Sequence, residues 1–366
     1  MPGQMPGRAR IIAEAMRLRQ GFETAGAQVV ETPVLQPAET LLDLYGEDIR
    51  GRAYVTQDPQ RGEQMLRPDF TVPVVQMHMA HGAEPARYTY AGEVFRKQED
   101  DPERDSEYLQ VGYEVFDRDT QAAREAEVFA RISSALSDLN LRAATGDIGL
   151  LKAAVDGLDT TEKRKVALRR HIWRPRRFRA LLDRFAGRTP VPSSRSALLA
   201  AADPMAENVP QIGLRSPAEV AARIETLRED AATPPISARQ VDLIEDLLAV
   251  RETLPFALEH LRDIAVDLPS IQGAVNRLVA RADALRAEGV DVDALEFEGS
   301  YGRTSMEYYD GFVFGLYAER RPDLPPVATG GRYDALCAAL GGGRGMPAVG
   351  GVIRPGLALL LREGGQ

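Results

Sequence analysis

The sequence predicts an α+β fold in which an antiparallel sheet covered by helices is interrupted by a mostly helical insertion. Three observations predict it. Two long alternating stretches, 87–97 and 107–117, are joined by the charged loop KQEDDPERDS, the pattern of paired antiparallel strands. Residues 148–288 then change to helical patterns linked by connectors rich in Pro, Ser and Thr (189–195, 232–237). From Val292 strand character returns in LEFEG, YYDGFVFGLYA and PVATGG. Together these suit a helix-covered antiparallel sheet and not a doubly wound parallel one. The expected division is a core from 1–147 and 290–366 with a helical insertion at 148–289.

The elements follow in order. Ile11, Ala15, Leu18 and Phe22 fall at i, i+4, i+7 and i+11, so residues 8–24 read as an amphipathic helix, with Gly26 as its stop. AQVVETP (27–33) reads as a strand and PAETLLDLYG (37–46) as a helix with Pro37 near its start. AYVTQ (53–57) and QMLRP (64–68) form a hairpin. FTVPVVQMHMAH (70–81) is a helix whose first turn tolerates Pro73. A long helix follows the two strands, at 119–138. The insertion contains GLLKAAVDGL, KVALRRHI, RRFRALLDRF, SALLAAA, PAEVAARIETLRED, VDLIEDLLAV and a long stretch through NRLVARADALRAEG.

Composition bounds the function. The 366 residues can bury a large core, and 44% hydrophobic with 27% charged residues is ordinary for a globular chain. A net charge of −9 argues against global attraction to nucleic acid or an anionic membrane. Cys337 is the one cysteine, so neither an intramolecular disulfide nor a thiolate metal cluster is expected, which fits a reducing cytoplasm. The N-terminus lacks the apolar segment of a signal peptide, and no apolar run reaches the ~20 residues of a membrane span.

The strand around 107–116 is the most informative local object. Leu109, Val111, Tyr113 and Val115 share one face and can pack against helices. Tyr108, Gln110, Gly112, Glu114 and Phe116 share the other, with an amide and a carboxylate flanking a glycine that leaves room above the sheet. That face reads as a polar pocket floor or as a solvated surface. The alternation Tyr90, Gly92, Val94, Arg96 brings Arg96 to the same region. It can bind a carboxylate or phosphate bidentately, or pair with the acidic loop. His78 and His81 lie three apart on a helix without a third ligand at metal spacing, and GGGRG (341–345) lacks the ending of a P-loop. The arginine-rich stretch 163–184, with Trp173 and Phe178 interleaved, reads as a solvated helical face or as a docking face for an acidic partner or RNA.

Four blocks, in order, carry a family resemblance: LRPDFT (66–71), VFRKQ…YLQVGYEVF (94–116), MEYYDGFVF (306–314) and GGRYDAL (330–336). They resemble the catalytic core of histidyl-tRNA synthetase, a class II aminoacyl-tRNA synthetase. Leu66–Thr71 is similar to that family's LRPEGT, Glu307-Tyr308-Tyr309 to the DYY of its RGLDYY block, and Ala348-Val349-Gly350-Gly351 to the start of motif 3. The resemblance covers roughly 1–150 and 290–360. It implies a histidine site. Asp69 would take the α-ammonium with Thr71 and Gln110 beside it, and Glu114 and Tyr309 would meet the imidazole nitrogens. Arg96, Tyr308 and Tyr333 would complete the site. No cofactor and no metal are implied.

The departures from that family set the expected function. Thr304 stands where the synthetases have the arginine of RGLDYY, and Gly356-Leu357 replace the Glu-Arg that ends motif 3. Arg303 is one residue early, Arg354 is out of step, and Gln98 stands where motif 2 has a glutamate. Adenylation depends on fixed cations, and losing one commonly costs about a hundredfold or more in rate. A shifted Arg303 or Arg354 is the remaining way to restore the charge. The chain also stops soon after motif 3, where the synthetases continue into an anticodon-binding domain. This combination resembles the ATP phosphoribosyltransferase regulatory subunits. That resemblance implies a non-catalytic, histidine-responsive protein partnered by a short-form catalytic subunit. It also implies a homodimer through 27–46 within a hetero-oligomer, located in the cytoplasm and bound to neither nucleic acid nor membrane. The alternative is a histidine-activating, synthetase-like enzyme.

Overall fold

The protein is described here by a computed structural model covering residues 5–45, 49–98, 105–205, 213–304 and 308–364. Glu307 and most of the acidic loop after Gln98 lie outside the described residues. The first half runs α1 (Arg8–Thr24), β1 (Gln28–Val29), β2 (Leu35–Pro37), α2 (Ala38–Tyr45), α3 (Ile49–Arg52), β3 (Val55–Asp58), β4 (Gly62–Leu66), α4 (Thr71–His81), β5 (Ala86–Phe95), β6 (Glu107–Phe116), α5 (Gln121–Ala135) and β7 (Leu141–Asp147). The helical stretch contains α6 (Ile148–Asp156), α7 (Glu162–Arg170), α8 (Pro175–Phe185), α9 (Ser193–Ala200), α10 (Pro217–Ala232) and α11 (Ala238–Ala249). After β8 (Arg251–Thr253) come α12 (Leu254–Asp267) and α13 (Gln272–Ala287). The chain ends with β9 (Glu296–Glu298), β10 (Phe312–Ala318), β11 (Ala328–Arg332), α14 (Asp334–Leu340), β12 (Ala348–Ile353) and α15 (Pro355–Glu363).

Among the described residues one sheet has nine strands in the order β1-β5-β6-β12-β11-β10-β7-β9-β8, and a second has three, β2-β4-β3. Every pairing is antiparallel except β1 with β5 and β7 with β9. β5 and β6 run side by side from Ala86 opposite Phe116 to Phe95 opposite Glu107. The helical periodicity of α1 buries Ala15, Leu18 and Phe22 against this pair, and the Phe22 ring lies 5.3 Å from that of Tyr113. Tyr113 donates its hydroxyl to Glu127 of α5 at 2.6 Å. The Leu109–Val115 face of β6 therefore packs under α1, α5 and α15, leaving the opposite face for a cavity.

Several elements differ from the sequence reading. The stretch 27–33 contributes two ladder residues, Gln28 and Val29, and then turns away from the sheet. The long helical run before Gly289 is two helices, α12 and α13, parted at Leu268–Ile271 where Pro269 restarts the chain. β7 (LRAATGD) and β12 (AVGGVI) are interior strands of the sheet, although small residues and glycines give them weak strand character. β8 returns from the helical stretch to pair with β9, so the helices are joined to the sheet edge by backbone hydrogen bonds.

Candidate ligand site

The cavity lies on the face of β6 opposite α1. Residues paired across strands share a face. One rung carries Tyr90, Gly112, Val352 and Thr329, and the next carries Tyr88, Glu114, Gly350 and Gly331. Glycines make this floor possible. A Cβ at Gly112 would overlap the Tyr90 ring, and one at Gly350 would overlap the Glu114 carboxylate. The room above Gly112 is thus filled by Tyr90.

The LRPDFT block forms the rim. Arg67 donates to Glu93 O (2.8 Å) and Thr32 O (2.6 Å) and covers the Phe70 ring at 3.9 Å. Phe70 stacks on Tyr90 with ring centres 4.2 Å apart. This locks the turn into α4 so that Asp69 and Thr71 face the sheet. The cavity is small, about 30 Å³, and partly open to solvent. Asp69, Thr71, Arg96, Gln110, Glu114, Tyr308 and Tyr309 all line it. Tyr333, expected to line the cavity, does not; it is buried beside it and donates its hydroxyl to Glu114.

Glu114 is the best-held group. Its Oε1 accepts from Tyr90 (2.8 Å) and Thr71 (3.1 Å), and its Oε2 accepts from Tyr333 (2.5 Å). Burial raises its pKa; the three hydroxyls oppose this, the Asp69 charge adds to it, and the result is about 7. Asp69 is only 3% exposed and is also raised by burial, which Arg96 partly offsets. Its Oδ1 accepts from Val72 N (3.3 Å), whereas its Oδ2 has no partner. Gln110 is 1% exposed, and its Oε1 has no partner either. Leaving a buried acceptor unmade costs about 1–3 kcal/mol, so two in one cavity call for a ligand rich in N–H donors. Arg96 is anchored by donating Nε to Pro68 O at 2.7 Å.

The positions of the missing arginines are explicit. Thr304 is exposed. Arg303 turns into the helical part, donates to Ile172 O at 2.9 Å and lies over Phe178 at 4.9 Å; burial lowers its pKa to about 10. It does not line the cavity. Leu357 is buried, and Gly356 lies against Met5 and Ile11 near α1. Arg354 does line the cavity, with its guanidinium 5.7 Å from the centre of the Tyr108 ring. Sequence reasoning missed Tyr90 as a partner of Glu114, although Tyr90 stood on the same alternation as Arg96. It also left Arg354 outside the site.

His78 and part of the arginine-rich stretch have internal contacts, whereas His81, Arg170, Arg176, Arg177, Arg179 and Arg184 are exposed. His78 stacks on Phe116 at 4.0 Å with Nδ1 3.1 Å from the Tyr88 hydroxyl. Within 163–184, Arg164 is buried on Asp230, and Arg169 pairs with Asp156 and Glu162. Trp173 donates Nε1 to Tyr309 O at 3.2 Å, so one of the interleaved aromatics braces the cavity wall.

Known proteins resemble this chain in sequence and in fold. A family profile described as histidyl-tRNA synthetase matches residues 4–252 and 220–355. Proteins named ATP phosphoribosyltransferase regulatory subunit from Brucella ovis and Brucella abortus are each 32% identical over 353 residues. The match covers 91% of this chain and 93% and 92% of theirs. In fold, the chain resembles an ATP phosphoribosyltransferase regulatory subunit/histidyl-tRNA synthetase from Bacillus halodurans. The TM-score is 0.68 at 21% identity, covering 98% of this chain and 81% of that one. It also resembles histidyl-tRNA synthetase from Nostoc, with a TM-score of 0.64 at 18% identity, covering 99% and 74%. The chain belongs to the histidyl-tRNA synthetase-like family, in its branch of ATP phosphoribosyltransferase regulatory subunits.

Proposed function

We propose that this chain is the non-catalytic regulatory subunit of ATP phosphoribosyltransferase, required for the first step of histidine biosynthesis and for its feedback control by histidine. The relatives' name supports the subunit role. The observation that carries the sensor role is the pair of unpartnered buried acceptors, Asp69 Oδ2 and Gln110 Oε1, in the cavity that also presents Glu114. An α-ammonium brings three N–H donors to such a pair. Glu114 and Tyr309 then face the imidazole, where a carboxylate favours one tautomer or the charged ring.

The partner in this reading is a short-form catalytic subunit. Residues 1–147 and 290–366 hold the sensor, and the helical insertion is 148–289. The exposed apolar side chains of Val34, Leu35, Tyr54 and Val55 support a homodimer through the small sheet. A cytoplasmic location completes the reading. Histidine inhibits only if it binds the inhibited assembly more tightly than the active one, and a coupling of about 1–3 kcal/mol gives useful feedback.

Calorimetry of the purified chain tests the site. Asp69→Ala and Glu114→Ala should each weaken histidine binding by about tenfold or more. Unchanged affinity in both variants would exclude this cavity. Histidine-dependent pyrophosphate exchange by the isolated chain would instead favour a synthetase-like activity.

A further inference from the structure

We propose that the cavity among α7, α8 and α10 is a second ligand site, which holds the phosphate of a small phosphorylated molecule with an apolar body. It lies in the helical stretch, apart from the sheet-face cavity, and stands independently of the histidine reading.

The first observation is charge. The chain carries a net charge of −9, yet residues 163–188 hold eleven Lys or Arg against one Asp. The helices gather part of this excess around a cavity of about 270 Å³. Lys163, Arg164, Arg184 and Arg223 line it, with Glu229 and Asp230 as the lining acids. Lys163 pairs with Glu229, which leaves Asp230 as the carboxylate that the guanidiniums share. Arg164 lies 2.7 Å from it, Arg195 3.5 Å and Arg184 3.8 Å. Arg223 makes no ion pair among the described residues.

These guanidiniums are not equivalent. Arg164 is buried and committed: it donates to the Asp230 carboxylate (2.7 Å), to Asp230 O (2.7 Å) and to Pro234 O (2.8 Å). Arg184 makes only the long contact to Asp230 and lies over the Phe185 ring at 4.7 Å. Burial disfavours its charge, Asp230 offsets part of that, and the charges of Arg195, Arg164 and Arg223 add to it. Like charges held this close are stabilised by a further anion. One carboxylate against four guanidiniums leaves an excess that a phosphate monoester, with nearly two negative charges at neutral pH, complements better than a second carboxylate does. Guanidinium forks also match phosphate oxygens in geometry.

The floor specifies the rest of the ligand. Ala167, Leu181, Phe185 and Leu227 supply an apolar lining. Small-molecule sites are mostly apolar hollows with a few convergent polar groups, usually about 300–1,000 Å³, so this one suits a small ligand. An acidic macromolecule would be met by a continuous cationic face. Here the cations converge on one hollow, and the exposed Arg176 and Arg177 lie outside it.

The experiment is calorimetry on the full chain at low ionic strength, with phenyl phosphate, inorganic phosphate and phenol as titrants. Trp173, the one tryptophan, is two residues from the lining His171 and gives a fluorescence signal for the same titrations. Phenyl phosphate should bind once per chain, about tenfold more tightly than inorganic phosphate, and phenol should not bind measurably. Arg184→Met and Arg223→Met should each weaken phenyl phosphate by about tenfold, Arg184→Lys by less, and Arg176→Met by less than about twofold. Arg223 is exposed, so its variant reads the site even if Arg184→Met folds poorly. Wild type that shows no saturable phenyl phosphate binding, or unchanged binding in both cavity variants, overturns the assignment. Equal weakening by Arg176→Met also overturns it, because the attraction would then be that of a diffuse basic surface for an acidic macromolecule.

Discussion

Buried carboxylates occur in two regions of this molecule, and their environments are opposite. In the cavity, Glu114 is held by three hydroxyls and Asp69 by backbone, with Arg96 offsetting burial at Asp69 only in part, and both have raised pKa values. Across the sheet, Glu125 of α5 is as deeply buried; burial pushes its pKa up, but Arg281 of α13 and Arg332 of β11 outweigh this and hold it low. Arg281 also donates to Asp147 at 2.7 Å, and Arg332 to Asp334 at 3.0 Å. The second set is charge-paired, although Arg281 Nη1 has no hydrogen-bond partner, and it ties the helical stretch to the sheet. The first set is left open. Burial alone does not mark a ligand site; burial that no counter-charge outweighs is the better pointer.

The sharpest way to break this contrast is Arg281→Met. It would leave Glu125 and Asp147 facing each other with one cation fewer, and removing one partner of a buried pair costs about 3–5 kcal/mol. Urea unfolding of the variant should show a loss of that size. A loss below about 1 kcal/mol would mean that the network is no more closed than the cavity.

The next test runs through pH. Glu114 has a folded pKa of about 7 against an ordinary 4.5. Between those values the unfolded chain releases a proton that the folded one keeps, so stability falls as pH rises through this window and stays lower above it. The displacement corresponds to roughly 3 kcal/mol. Glu114→Gln has no charge to bury. Relative to wild type it should gain stability between pH 5 and pH 8 by roughly that amount, measured by denaturant unfolding at both pH values. A difference that does not change with pH would place Glu114 with the paired carboxylates.

Part of this contrast was legible in the sequence. The alternation of β6 assigned Gln110 and Glu114 to one face and Val111 and Tyr113 to the other, because period two is a local property of a strand. The missing cation at Thr304 was also legible. What could not be read was which neighbour enters a space. Gly112 left room, but Tyr90 of the paired strand fills it, and that depends on register across β5 and β6. Arg354 looked displaced when counted from Gly356 and Leu357; counted along β12 from Gly350 it lies on the cavity face. The Glu125–Arg281 pair joins residues 156 positions apart, and no local pattern announces it. β12 itself was obscured by Gly350 and Gly351, whose absent side chains are needed by Glu114 and by Phe314 and Ile132.

The smallest test is Thr71→Val, which keeps shape and removes one of the three hydroxyls on Glu114. If neutral donors are what hold this carboxylate, their loss matters only while it is ionised. A hydroxyl donor favours the charged form, so its removal should push the Glu114 titration further up. At pH 5 the carboxyl is protonated in the folded chain, and the variant should match wild type closely. At pH 8 the variant should lose about 1 kcal/mol, the usual net worth of one hydrogen bond. A loss of equal size at both pH values would show that Thr71 acts through packing at the start of α4. A loss confined to high pH would show a carboxylate stabilised in small neutral steps, unlike Glu125, where two guanidinium charges hold the group at every pH in that range.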